Sequence, residues 1–437
     1  MRDVPVEAPE LAGVVAVARG EGRAVLGSAA KARVAASRRR VDRLAAGDAP
    51  AYGINTGFGA LATTDVPPAE RRELQRALLR SHAAGIGPFI DPEIVRATML
   101  VRAKTLAAGF SGVRLELLEA LVALLNAGVV PAVPEHGSLG ASGDLAPLAH
   151  VGLCLCGEGW ALCDGKAIPA ANALRAADLE PVEPAEKEGL ALTNGTDGML
   201  AMLALATTDL GRLLKTADIT AAMSIEALLG TDRAFREELQ ALRPHPGQQA
   251  SASNLRRLLR DSPIVASHRH SHHLVQDAYS LRCTPQVYGA ARDTLAFATQ
   301  TAERDLEAVT DNPVILLDGE VASGGNFHGE PLAFALDFLA IAAAEVGAIT
   351  ERRIDRMLDP ARSQGLPPFL APHAGTNSGF MIAHYTAASL AEENRRLSLP
   401  ASTGSLPVSA GQEDHNSMGW SAGIKLRRVL ANLGQIL

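Results

Sequence analysis

The sequence predicts an all-α protein, a bundle of long helices with one small β-hairpin, and three observations carry that expectation. Aromatic residues are only 4% of the 437, so the core must be built from Ala, Leu and Val, which favours close-packed helices over a β-sandwich. Several Ala/Leu-rich runs exceed 20 residues with few breakers, longer than an average globular helix. Apolar–polar alternation, the mark of half-buried strands, is scarce.

The elements follow in chain order. Ala69–Ala83, Pro92–Ala108 and Val113–Ala127 are Ala/Leu-rich and nearly free of breakers, and the longer Asp197–Leu229 and Gln286–Val309 share that composition. Pro313–Ala322 (PVILLDGEVA) is the hairpin, with Asp318-Gly319 turning between two short apolar runs. Pro331–Leu358 holds the most apolar window, Leu332 to Ile349. Asp337 and Glu345 interrupt that window and ERRIDRMLDP follows it, so a buried core helix is expected there and no membrane span. Ser378–Leu397 and the amphipathic Ser421–Leu437 complete the helices, and the chain stops as though more were to follow. Breakers cluster at Tyr52–Gly59, Val130–Pro147, Ser323–Gly329 and Ser402–Gly411, loops on a rigid frame where function is expected.

Charge and cysteine content exclude several classes. Lys and Arg total 41 against 48 Asp and Glu, a net charge of −7 with no electrostatic footprint for nucleic acid. Four cysteines in so long a chain do not make a disulfide scaffold and fit a reducing cytoplasm. The start, MRDVPVEAPELAG, lacks the basic, then apolar, pattern of a secretion signal.

The stretch Gly137 to His150, GSLGASGDLAPLAH, carries the chemistry. On composition it is a tight loop whose glycines supply unusual φ/ψ. A chemical reading is also open. If the backbone bends, the Gly143 nitrogen reaches the Ala141 carbonyl, and loss of water closes a five-membered ring. Dehydration of Ser142 then leaves an exocyclic methylidene, an electrophile made from the chain itself; ordinary side chains supply nucleophiles and acid/bases instead.

That stretch resembles the signature of the ammonia-lyase/aminomutase family that uses the methylidene-imidazolone group. Eight collinear landmarks extend the likeness: YGINTGFGALATT from Tyr52, SHAAGIG from Ser81, EGLALTNGT from Glu188, VQDAYSLRC from Val275, TDNPV from Thr310, SGGNFHGEP from Ser323, NSGFMIA from Asn377 and QEDHNSMG from Gln412. Within the family the likeness is greatest to its histidine-acting bacterial branch. The resemblance implies a fumarase/aspartase-like all-α bundle, a homotetramer whose active sites mix residues of neighbouring subunits, and a 4-methylidene-imidazol-5-one formed from Ala141-Ser142-Gly143 with no metal required. It implies elimination of ammonia from L-histidine to give trans-urocanate. Other readings are a lyase or 2,3-aminomutase acting on tyrosine or phenylalanine, or an inactive homologue with a binding role.

Residue roles follow by likeness. Tyr52, in a Gly-rich loop able to act as a lid, takes the β-proton, and the site must lower a phenol pKa near 10 for that task. Gln276, Tyr279 and Arg282 recur every third residue, on one flank if the segment is helical. Arg282 holds the substrate carboxylate through its planar fork, with Asn194 and Gln276 assisting and Tyr279 near the prosthetic ring. His82 and Glu413 bind the imidazole, and Phe327 packs beside the prosthetic group. Without the likeness each is an ordinary turn, core or surface residue.

Rival signals exist. His268 to His273 is a histidine cluster with His268 and His272 at helical i, i+4 spacing, and His150 with Cys154, Cys156 and Cys163 is another conceivable ligand set, though neither has a recognised metal pattern. A solvated loop and buried thiols are the expected states. Thr193, Ala278, Tyr288 and Asn416 depart from the family pattern, and family members continue several dozen residues further. A first region, 1–200, carries the Ala-Ser-Gly loop, and 201–437 carries the long helices. Because one site draws on both, they form one interwoven unit.

Overall fold

Ala/Leu-rich runs without breakers fold as helices, because such residues lose little rotamer freedom and each gains one backbone hydrogen bond. The computed structural model describes residues 1–47, 51, 53–57, 64–271 and 275–437; Tyr52, His272 and His273 lie outside them. The helices are α1 (Leu11–Ala18), α2 (Ser28–Ala45), α3 (Arg71–His82), α4 (Pro92–Ala107), α5 (Leu115–Asn126), α6 (Leu145–Leu155), α7 (Ala170–Ala176), α8 (Glu188–Thr193), α9 (Asp197–Ala227), α10 (Glu237–Ala241), α11 (Pro246–Leu258), α12 (Pro263–Ser267), α13 (Tyr279–Arg282), α14 (Thr284–Glu307), α15 (Glu330–Leu358), α16 (Met381–Leu397) and α17 (Gly419–Ile436).

All eight helices expected from the sequence form, as α3–α5, α9 and α14–α17. Helix α2 was not expected. Its buried stripe is only Ala30, Val34, Ser37 and Val41 among many arginines, too thin a stripe to stand out.

Short strands pair in small sheets: β1 (Arg2–Pro5), β2 (Gly22–Val25), β3 (Ile86–Phe89), β4 (Val130–Pro131), β5 (Pro134–His136), β6 (Trp160–Cys163), β7 (Lys166–Pro169), β8 (Val314–Ile315) and β9 (Val321–Ala322). The expected hairpin is β8–β9, with Ile315 opposite Val321. A second hairpin, β6–β7, turns at Asp164 (φ +48°) and Gly165 (φ +75°). Two left-handed residues in sequence make a twist-matched hairpin turn, and Asp-Gly was its signal.

By contacts the chain divides into two units, one of residues 1–205, 300–334 and 401–424, the other of 206–299, 335–400 and 425–437. In the first, α4 packs on α1, α2 and α5 and is buried almost throughout from Ile94 to Ala107. It therefore carries Arg102 and Lys104 into the interior. Helices α3, α6 and α8 pack together there, and the Gln75 side chain accepts the Gly189 N–H at 3.0 Å.

In the second unit Tyr288 is fully buried, its hydroxyl 3.1 Å from Thr350 Oγ1, with Arg353 donating to both. Helix α15 is apolar and long enough to cross a membrane, yet 67% of its most apolar window is buried, the packing of a core helix. Its buried Asp337 pairs with the Lys425 ammonium.

Candidate active site

The Ala-Ser-Gly loop sits between β5 and α6 in a left-handed conformation rarely seen outside glycine. Ser142 has φ +50° and Gly143 φ +81°. Gly143 forms a parallel bridge with Gly195, and the Asp144 N–H donates to the Gly195 carbonyl at 2.7 Å. A Cβ on Gly143 would fall 2.0 Å from that carbonyl oxygen, so only glycine fits. This bent backbone, with the residue after Ser142 bare of Cβ, suits internal ring closure between Gly143 N and the Ala141 carbonyl.

Asp144 anchors the loop. Its side chain is fully buried, and Oδ2 accepts the Gly198 and Met199 N–H groups at 2.9 Å each, in the first turn of α9. Burial pushes the carboxyl up to about 7, and Asp197 nearby adds to the rise, while the backbone bonds oppose it. Asn194, which ends α8, precedes Gly195. Its Nδ2 donates to the Asn312 carbonyl at 2.6 Å, while its buried Oδ1 has no partner among the described residues.

Two further segments join this loop. The Met418 N–H donates to the Leu139 carbonyl at 2.9 Å, tying in the stretch that carries Glu413. Glu413 is half-buried, which raises its carboxyl pKa. Phe327 is half-buried in the turn before α15, and that turn is braced where Gly329 meets Met199 and Ser417. The structure thus brings Ala141, Ser142, Gly143 and Asn194 together with the segments of Phe327 and Glu413.

His82 closes α3. Its Nδ1 donates to the Leu78 carbonyl at 2.9 Å, which leaves Nε2 as an acceptor, and burial lowers its pKa. The following loop is pinned where the Gly85 N–H donates to His150 Nε2 at 3.2 Å, on α6. Tyr52 lies outside the described residues. The turn after it is anchored, with Ile54, Asn55 and Thr56 buried and Gln75 Nε2 donating to the Gly53 carbonyl at 3.3 Å.

Gln276, Tyr279 and Arg282 belong to the second unit. They do not share one helix as their spacing suggested. Asp277, accepting the Thr231 N–H at 2.8 Å, and an extended Ala278 hold the chain out of helix until Tyr279. Gln276 is exposed, Tyr279 is 72% exposed, and the Arg282 guanidinium stacks 4.8 Å over the Tyr279 ring.

Among the described residues, metal-ligand sets are poorly supplied. Burial pushes the Cys154 and Cys156 thiols up to about 12, which disfavours the thiolate a metal needs, and His268 Nε2 bonds the Gly230 carbonyl at 2.9 Å. His328, Glu330 and His415 place donor atoms within 4.8 Å of one another. Both ring nitrogens of His328 already face backbone, the His415 carbonyl at 3.2 Å and the Glu330 N–H at 3.4 Å.

Arg102, Asp144, Asp197 and Gly195 were not singled out from the sequence. Asp144 stood inside the motif, and Arg102 was a charge within an apolar helix. Neither position reveals its partner until the chain is folded.

A family model described as aromatic amino acid lyase matches residues 10–437. The chain is 56% identical to a histidine ammonia-lyase of Streptomyces avermitilis over 425 residues, covering 97% of this chain and 83% of that protein. Its fold is similar to a histidine ammonia-lyase from Trypanosoma cruzi, with TM-score 0.90, 40% identity and coverage of 100% and 82%. It is also similar to a tyrosine aminomutase from Streptomyces globisporus, with TM-score 0.93, 38% identity and coverage of 99% and 86%.

Proposed function

The chain belongs to the aromatic amino acid lyase family and is a carbon–nitrogen lyase, and on that premise we propose that it eliminates ammonia from L-histidine to give trans-urocanate. The observation that carries this reading is the left-handed Ser142-Gly143 pair pressed on the Gly195 carbonyl. The residues present fit a 4-methylidene-imidazol-5-one made from Ala141-Ser142-Gly143, which supplies an electrophile that no side chain provides.

The other residues bind, orient and move protons. His82, neutral and with Nδ1–H committed to Leu78, offers Nε2 to an imidazole N–H. Glu413 offers a partly desolvated carboxylate to the same ring, which a phenyl group would leave unpaired. Tyr52 is the base for the β-proton. Asn194 presents an acceptor, Oδ1, because Nδ2 is spent on Asn312. That suits the substrate amine better than the carboxylate first expected of it. Phe327 packs beside the reacting centre.

Gln276 and Tyr279, exposed in their own unit, and the half-buried Arg282 serve a neighbouring copy's site, with Arg282 clamping the carboxylate and Tyr279 near the prosthetic ring. Self-association as a homotetramer is supported by partly exposed Phe297, Phe338 and Ile341 on α14 and α15, an apolar face suited to a like surface. Free cysteines fit a cytoplasmic location.

Intact mass and product assay test the reading. The denatured chain is expected to be lighter than its sequence by two waters, and Ser142→Ala is expected to abolish both that loss and urocanate production. A second reading, 2,3-aminomutase action on tyrosine, draws on the likeness to the tyrosine aminomutase. A β-amino acid formed from L-Tyr faster than urocanate from L-His would favour it.

A further inference from the structure

Arg102 is fully buried on α4, and its Nη1 donates to the Asn194 carbonyl at 2.7 Å and lies 3.4 Å from Asp197 Oδ2. Asn194 and Asp197 bracket Gly195. A Cβ added to Gly195 would fall 2.5 Å from Asp197 Oδ2 and 2.9 Å from both Arg102 Nη1 and Thr310 Oγ1. The Gly195 carbonyl on the other side receives the Asp144 N–H at 2.7 Å and abuts Gly143. A continuous line of contact therefore runs from the Arg102 guanidinium through the Asn194–Gly195 peptide to the residue whose nitrogen must close the ring. Thr105 Oγ1, one turn along α4, donates to Asp197 Oδ1 at 3.3 Å, so one helix holds both sides of the bracket.

The cluster is tuned as well as packed. Lys104 points to the Ala308 carbonyl, and burial lowers its pKa to about 8. Arg102 Nε and Nη2 have no hydrogen-bond partner among the described residues, an expensive arrangement for a buried cation. A fully buried cation retained at such a cost, with its one hydrogen bond on the Asn194 carbonyl, points to a positional task.

We propose that Arg102 is the positioning residue for formation of the prosthetic group, an inference that rests on the lyase reading above. The guanidinium fixes the Asn194 carbonyl and hence the plane of the Asn194–Gly195 peptide. The Gly195 carbonyl then forms a rigid abutment that keeps Gly143 bent toward Ala141. Ring closure joins Gly143 N to the Ala141 carbonyl carbon. The Ala141 oxygen leaves as water with the protons of Gly143 N and Ser142 N, and a second water carries away Ser142 Oγ with the Ser142 Cα proton. Arg102 touches none of these atoms; it acts through Asn194 and Gly195.

The test uses the full chain with Arg102→Met, Arg102→Lys and, as a packing control on the same helix, Leu100→Ala. Each is purified as folded protein, its melting temperature measured and its denatured mass recorded. The expected result is that the Arg102 variants retain the two waters in most molecules, with the processed fraction down about tenfold or more, whereas Leu100→Ala is processed at a similar or lower melting temperature. Arg102→Lys, which keeps a cation beside Asp197 without the planar reach, carries the test if Arg102→Met does not accumulate. Folded Arg102 variants lighter by two waters as completely as the wild type would overturn the inference, as would equal loss of processing in Leu100→Ala. A wild-type chain that keeps both waters would instead sink the lyase reading itself.

Discussion

The Asp144 backbone N–H and the Gly195 carbonyl meet at 2.7 Å, and this one bond joins the Ala-Ser-Gly loop to the end of α8. The Asp144 carboxylate simultaneously caps the first turn of α9. One residue thus sets the position of a reactive loop relative to two helix termini. Its three bonds are all 2.9 Å or shorter, so small changes here are expected to act on chemistry before they act on the fold.

Gly143→Ala tests the steric side of that relationship. The new methyl group would sit 2.0 Å from the Gly195 oxygen, at a φ of +81°. Overpacking of this kind costs about 1–3 kcal/mol, so the variant is expected to fold with a lowered melting temperature. Its mass is expected to match the unprocessed sequence. A variant lighter by two waters would show that the Gly143–Gly195 contact does not shape the loop.

Asp144 predicts a pH dependence of stability. Its folded pKa is raised to about 7 from 3.8, so the native state binds more protons than the unfolded state between those values. Stability from this group is therefore full below about pH 4 and lost as pH rises through 7, by roughly 1–4 kcal/mol. Asp144→Asn keeps an acceptor for Gly198 and Met199 and cannot titrate. Urea melts at pH 5 and pH 8 should show a smaller fall for the variant than for the wild type; equal falls would refute the assignment.

Glu413→Gln removes the charge proposed to hold the imidazole. Losing a charge-assisted hydrogen bond of about 1.5–3 kcal/mol lowers kcat/KM for L-His roughly 10–100-fold, with a much smaller effect on L-Phe. The ratio of the two substrates is the readout. An unchanged ratio would remove Glu413 from the specificity site.

Arg282→Met is expected to raise KM for L-His by about 100-fold while leaving the processed mass intact, because a carboxylate clamp acts on binding and not on ring closure. Arg282→Lys should recover only part, since an ammonium cannot form the planar double bond. Unprocessed Arg282→Met would assign the residue a folding role instead.

Legibility from the sequence was uneven for physical reasons. Long helices were readable because composition and the absence of breakers act locally, whereas α2, with its thin apolar stripe, and strands such as β3 and β5, where Ile86 pairs with His136, depend on neighbours distant in the chain. The departures at Thr193, Tyr288 and Asn416 become intelligible only in place. Thr193 Oγ1 bonds the Gly189 carbonyl at 3.2 Å, Tyr288 shares its hydroxyl with Thr350 and Arg353, and the Asn416 side chain donates to the Leu406 carbonyl. Ala278 sits in the extended conformation, φ −60° and ψ 154°, that proline also adopts.

The sequence by itself determined the helical class, the Ala141-Ser142-Gly143 motif and the residue types available for an imidazole and a carboxylate. These are properties of composition and of short ordered strings. Only the tertiary structure decided that Gly195 is the surface against which Gly143 is bent, that Asn194 is left with an acceptor, and that Gln276 stands apart from the helix of Tyr279 and Arg282. It also decided that Arg102 stands behind the loop rather than in solvent. Such facts depend on which carbonyl meets which donor across nearly a hundred residues, as with Arg102 and Asn194, and no local pattern encodes that pairing.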